Sequence, residues 1–181
     1  MLAMWNILRQ RRSRCFAKVR ASKNTAALGR TRQSVREYTF FSFSPDIDLL
    51  EVRGDKTVVG FELKGYIKSG RTTKPPMYYA GVDQALADLV NPISSPVSQD
   101  FAGSILDYVY LVHPPGSGVE RLADVLERQT PLGLVIAGPA GIKELVKPRP
   151  NPYLNSAVKS LFLQSMDAFD AYKHPVVNPI Q

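Results

Sequence analysis

The sequence predicts an α/β fold, a mixed central β-sheet flanked by helices, and three observations carry that expectation. Dense apolar runs separated by turn residues begin at Tyr38 and continue through the chain. The first three runs have strand-like composition, after which helical and strand-like spacings alternate. One strand–helix–strand unit closes between Ile105 and Ala137, and its two strands are expected to be parallel.

Taken in order, Tyr38 to Phe43 is aromatic and β-prone, Asp46 to Arg53 is a short apolar run, and Thr57 to Tyr66 carries Val58, Val59, Phe61 and Leu63. A basic stretch, Ile67 to Lys74, is expected to be a flexible loop ending at Pro75-Pro76. Met77 to Val90 then has good helix formers and an apolar stripe at Val82, Leu86 and Leu89, and Pro92 stops it. Asn91 to Gln99 is a Ser/Pro-rich loop, and Ile105 to His113 is the fourth strand. Leu122, Val125 and Leu126 give Val119 to Arg128 a helical spacing, and Leu132 to Ala137 is a short buried strand. The Gly-rich stretch Gly133 to Gly141 lacks the Lys-Ser/Thr ending of a phosphate loop and is expected to be a strand end and turn. After a rigid connector at Pro148, Pro150 and Pro152, Asn155 to Tyr172 forms a last amphipathic helix.

The 181 residues suffice for one domain with a real core. No apolar run approaches the roughly 20 residues that span a bilayer, so no membrane role is expected. The lone Cys15 can form neither an internal disulfide nor a Cys-based cluster, which suits a reducing, cytoplasmic setting. The net charge of +7 is unevenly distributed. Residues 1–36 hold ten Lys and Arg and no acid, leaving 13 basic against all 16 acidic residues, about −3, for the remainder. The chain is therefore read as a weakly ordered, locally helical basic extension over 1–35 and a folded body over 36–181. The extension can be a phosphate-binding tail, a solvated tail or a targeting peptide.

Chemistry concentrates where the second run meets the third. Asp46 and Asp48 interrupt an apolar strand, where unpaired carboxylates are costly to bury. On the next strand, Glu62 and Lys64 share one face while Phe61 and Leu63 share the other. With a three-residue loop, Gly54 to Lys56, Arg53 faces Thr57, and counting back puts Asp48 opposite Glu62 and Asp46 opposite Lys64. Opposed Cβ atoms lie about 4.5–5.5 Å apart, near enough for two carboxylates to share a divalent ion. A two-residue loop would turn Glu62 to the other face. The odd-length register also sets Ile47 against Leu63 and Leu49 against Phe61, an apolar back face suited to a helix. Asp48, Glu62 and the Leu63 carbonyl would suit Mg²⁺ or Mn²⁺, with Lys64 orienting the attacking water.

Pro45-Asp46-x-Asp48 followed by Glu62-x-Lys64 resembles the PD-(D/E)xK nuclease superfamily, which includes restriction endonucleases, archaeal Holliday-junction resolvases and RecB-type nucleases. The resemblance covers roughly residues 38 to 137 and implies a restriction endonuclease-like core, metal-dependent hydrolysis of DNA phosphodiesters, and a possible homodimer. It makes Asp48 the better ligand match, with Asp46 as the alternative. Gln84, in Gly81-Val82-Asp83-Gln84-Ala85-Leu86, resembles a glutamine that some of these families carry on the helix after the motif. Many members also use a Glu from an N-terminal helix, and the only acid before Asp46 here is Glu37. Two other readings stand beside this one: a catalytically weakened nucleic-acid-binding module of the same fold, and an ordinary cross-strand salt bridge contributing about 0–1 kcal/mol. A turn cap after Pro45 is an equal reading of Asp46, and His113 has the ordinary reading of a structural residue at a strand end.

Overall fold

A computed structural model of the chain describes residues 14–19, 47–90 and 104–171. Strand-like composition becomes strand at Arg14–Val19 (β1), Ile47–Val52 (β2), Val58–Leu63 (β3), Ile67–Ser69 (β4) and Thr72–Lys74 (β5). Helix Val82–Val90 (α1) leads to Tyr108–His113 (β6), and a 3-10 turn at Val119–Leu122 runs into Ala123–Gln129 (α2). Gly133–Gly138 (β7), Gly141–Val146 (β8) and Ser156–Ala171 (α3) complete the order. Six strands form one mixed sheet in the order β1-β2-β3-β6-β7-β8, and β4 and β5 make a separate hairpin.

The expected parallel unit is present: β3 pairs with β6 and β6 with β7 in parallel, while both flanks of the sheet are antiparallel. Several expectations are corrected. Residues 14–19, expected within a weakly attached and partly helical extension, form edge strand β1 along β2. The β-prone sequence Cys-Phe-Ala-Lys-Val competes well for the edge that β2 would otherwise leave open. The turn expected after β7 leads into a further strand, β8, through the pair Gly138 and Gly141, and Gly141 has a φ of 119° that favours glycine. The basic loop 67–74 is a β-hairpin. Helix α1 begins at Val82, later than the expected Met77, because Gly81 has a φ of 81° and interrupts the helical path. The buried residues of α1 are Ala85, Asp88 and Leu89, whereas Leu86, expected in the apolar stripe, is exposed. The expected strand 38–43, the loop 91–99, Glu37 and Asp46 lie outside the described residues.

The core has two parts, one on each face of the sheet. Leu50, Val58, Val109, Leu111 and Leu134 pack with Ala85 and Leu89 of α1, Leu126 of α2, and Val158 and Phe162 of α3. On the other face, Leu49, Val59, Phe61, Val112 and Val135 form a smaller cluster, with Phe61 stacked on Tyr110 at 5.4 Å between ring centroids. The described helices thus cover the Leu50 face, not the Leu49–Phe61 face expected to receive a helix. Leu50 and Val58 are apolar on the same side as Asp48 and Glu62, so that side is core for most of its length and polar only at one end. Gly60 allows close packing there, since a Cβ would come within 2.8 Å of Leu106.

Candidate active site

The hairpin between β2 and β3 adopts the odd-length turn. Arg53 and Thr57 face each other through an N–H···O bond of 2.9 Å, and the Lys56 N–H donates to the Arg53 carbonyl at 2.9 Å. Lys56 takes the left-handed conformation, φ 66°, that closes a three-residue loop, and Asp55 accepts the Thr57 N–H at 2.9 Å. Val52 then pairs with Val58, Leu50 with Gly60 and Leu49 with Phe61. Extended by one residue, this register sets Asp48 beside Glu62 on the helix-covered face.

The residues predicted from sequence meet there. Asp48 is half-buried and accepts the Leu63 N–H at 3.0 Å, so Leu63 is tied to it through its amide nitrogen. Glu62 is 5% exposed and accepts a hydrogen bond from Lys64 Nζ at 2.6 Å. The same ammonium donates to Gln84 Oε1, which brings α1 into the group. Lys64 reaches this position across Gly81, where any Cβ would overlap its Cε. Gly81 is thus required twice, by its positive φ and by the passage of the lysine stem.

Sequence reasoning missed Asp88. It lies one turn after Gln84 on α1, is fully buried, and neither of its carboxylate oxygens has a hydrogen-bond partner. Burial first, then the charges of Glu62 and Asp48, push its pKa up to about 8, against a weaker opposing effect of Lys64. Burial likewise raises Glu62; its hydrogen bond from Lys64 opposes the shift and the Asp48 charge adds to it. The available signal was positional: an acid beside the buried Ala85 and Leu89 positions, four residues after Gln84. His113, at the end of β6, is also buried. Its Nε2 lies 2.8 Å from the Ala80 carbonyl, while Nδ1 has no partner, and burial lowers its pKa, favouring the neutral ring. That geometry fits its structural reading, as a clamp on the turn before α1.

The site therefore brings the Asp48 and Glu62 carboxyl groups and the Lys64 ammonium together at the carboxyl ends of parallel strands, the customary location for ligands in open α/β sheets, with the buried Asp88 feeling their charges. No family model matches the chain, and no curated protein matches it. Among solved structures, a protein of unknown function from Silicibacter pomeroyi is similar at a TM-score of 0.40 with 14% identity, over 72% of this chain and 68% of that one.

Among the described residues, no three or more His, Cys, Asp or Glu side chains are already grouped to hold a metal ion. Burial is the first cause of the raised pKa values of Glu62 and Asp88, and no side chain donates a hydrogen bond to the Asp88 carboxyl. Asp48 and Glu62, in register on adjacent strands, are the carboxylates that could hold a divalent cation. Among the described residues, no helix is long and apolar enough to cross a membrane.

Proposed function

We propose that this protein is a divalent-metal-dependent nuclease that hydrolyses DNA phosphodiester bonds, with the restriction endonuclease-like organisation its motif resembles. The single observation carrying this reading is Lys64 Nζ held between Glu62, at 2.6 Å, and Gln84, with Asp48 in register beside Glu62. Asp48 and Glu62 would hold Mg²⁺ or Mn²⁺. When bound, the ion would supply Lewis acidity toward phosphate oxygens and stabilise the leaving oxygen. Hard cations of this kind favour oxygen ligands and keep several waters.

The chain's own residues have separable roles. Lys64 orients a water for in-line attack and offsets charge on the phosphorane-like transition state. Gln84 would still hold the ammonium with Glu62 engaged by the ion, so that Lys64 would keep one fixed partner. Buried beneath them, Asp88 keeps its proton near neutral pH and adds no further negative charge where a phosphate must approach.

The test is cleavage by the full chain of linear, nicked, branched and single-stranded DNA with Mg²⁺ or Mn²⁺. Lys64→Ala is expected to lower the rate about 10²- to 10⁴-fold, with an unchanged circular dichroism spectrum. Glu62→Gln is expected to weaken Mn²⁺ binding measured by calorimetry. Tight DNA binding without cleavage of any substrate would replace the enzyme with the binding module that keeps the fold, and equal Mn²⁺ binding by both proteins would remove Glu62 from the site.

A further inference from the structure

Between Glu62 and Asp83 the chain has no acid, four basic residues and three tyrosines, and this run connects the candidate site to α1. Its central part is the β4–β5 hairpin, in which Ile67 pairs with Lys74, Lys68 with Thr73 and Ser69 with Thr72. Every residue from 65 to 75 is exposed, so no core packing explains the hairpin. Alternation along the ribbon puts Lys68 and Lys74 on opposite faces, with Arg71 at the tip beside Gly70.

Two exposed aromatic rings flank this ribbon, and both are braced. Tyr66, 51% exposed, donates its hydroxyl to the Pro115 carbonyl at 3.0 Å, which fixes the ring at the hairpin base. Tyr79, 54% exposed, stands edge-on to Tyr78 at 5.2 Å, and the Arg121 guanidinium lies over the Tyr78 ring at 5.9 Å. Solvent-facing rings on the same run of chain as Lys68, Arg71 and Lys74 offer stacking surfaces for bases and charges for phosphates. Bases in a duplex are already stacked and cannot use them, whereas unpaired bases can.

We propose that the β4–β5 hairpin, with Tyr66 and Tyr79, is an arm that binds an unpaired stretch of nucleic acid and delivers it to the Asp48–Glu62–Lys64 site. This rests on the nuclease reading and narrows its substrate to nucleic acid with a single-stranded part. An anionic lipid surface is the less suitable occupant, because the tip, Ser69 to Thr72, is polar and the cations lie on both faces of the ribbon, not around an apolar end.

The experiment is fluorescence anisotropy of the full chain with labelled oligothymidylate and with a duplex of equal length, in EDTA so that nothing is cut, across a salt series. The wild type is expected to prefer the single strand. The triple variant Lys68→Glu, Arg71→Glu, Lys74→Glu is expected to bind it at least about tenfold more weakly. It should also flatten the log–log salt slope by about 2, since each phosphate contact on a single strand contributes about 0.7. Tyr66→Leu with Tyr79→Leu keeps apolar bulk but removes the rings, and should weaken binding by about fivefold or more. Wild-type affinity in either variant, equal affinity for duplex and single strand, or binding only to phosphatidylserine vesicles would overturn the arm. If the wild type still cuts DNA in Mg²⁺, any of those results leaves the nuclease reading standing; a wild type that neither binds nor cuts nucleic acid removes both.

Discussion

The two ends of the parallel strands carry polar groups of similar kind in opposite conditions. At the amino end, Asp107 accepts the Val58 N–H at 2.7 Å and the Lys159 ammonium at 2.6 Å, and its own N–H returns a bond to the Val58 carbonyl at 2.8 Å. Beside it, buried Asn151 uses both amide hydrogens on the Leu89 and Leu106 carbonyls, each at 2.9 Å, and its side-chain oxygen accepts the Tyr153 N–H. Toward the carboxyl end, the Asp88 carboxyl has no partner, His113 has one idle nitrogen, and the single ammonium of Lys64 bonds Glu62 and Gln84. A satisfied buried network fastens elements together, whereas an unsatisfied one lowers stability and persists where it serves some other purpose. The first end is joinery between β3, β6, α1 and α3; the second is where chemistry is expected.

Changing the two ends should therefore have opposite effects. The largest is expected from Asp88→Asn. A carboxyl whose folded pKa is raised from 3.8 to about 8 contributes stability that is full below the unfolded value and is lost as pH rises through the folded one. Between those limits the wild type should lose about 1.4 kcal/mol per pH unit that Asp88→Asn does not lose, measured by urea unfolding at several pH values. Identical slopes for the two proteins would show that Asp88 is not the proton holder. Asn151→Ala orphans two buried carbonyls at the satisfied end and should destabilise by about 2–4 kcal/mol at every pH, with cleavage by the remaining folded protein unchanged. Activity lost in proportion to Asn151 damage would erase the distinction between the ends. Gly81→Ala is smallest in stability, about 1–3 kcal/mol from the strained φ, yet it displaces Lys64 and should reduce cleavage well beyond its thermal shift.

What the sequence revealed about this site depended on period. Strand alternation and loop parity were sufficient to bring Asp48, Glu62 and Lys64 to one end of one face, because side chains repeat every two residues and a single turn sets the phase. Gln84 came from a resemblance, and its Oε1 accepts a hydrogen bond from Lys64. Asp88 offered only a positional hint, an acid beside the buried Ala85 and Leu89, and Gly81 none, because their importance arises from the crossing of α1 over β3, a tertiary relation. The same limit applied to β1 and β8: edge strands carry weak alternation, and their pairing is decided by which edge is open. The assignment of the helix-bearing face also failed, since Leu50, Val52 and Val58 extend apolar character along the side that ends in carboxylates.

The three-residue turn at Gly54 to Lys56 acts on the protein somewhat as a reading frame acts on a message. Deleting one residue there would shift every later side chain of β3 by one step against β2, sending Glu62 away from Asp48 and, in the same step, exchanging the buried sets of both faces. Core and candidate site are thus set by one phase, and slippage cannot disable the chemistry while sparing the fold. A variant that alters this candidate site while keeping the fold must therefore do so by substitution within an intact frame.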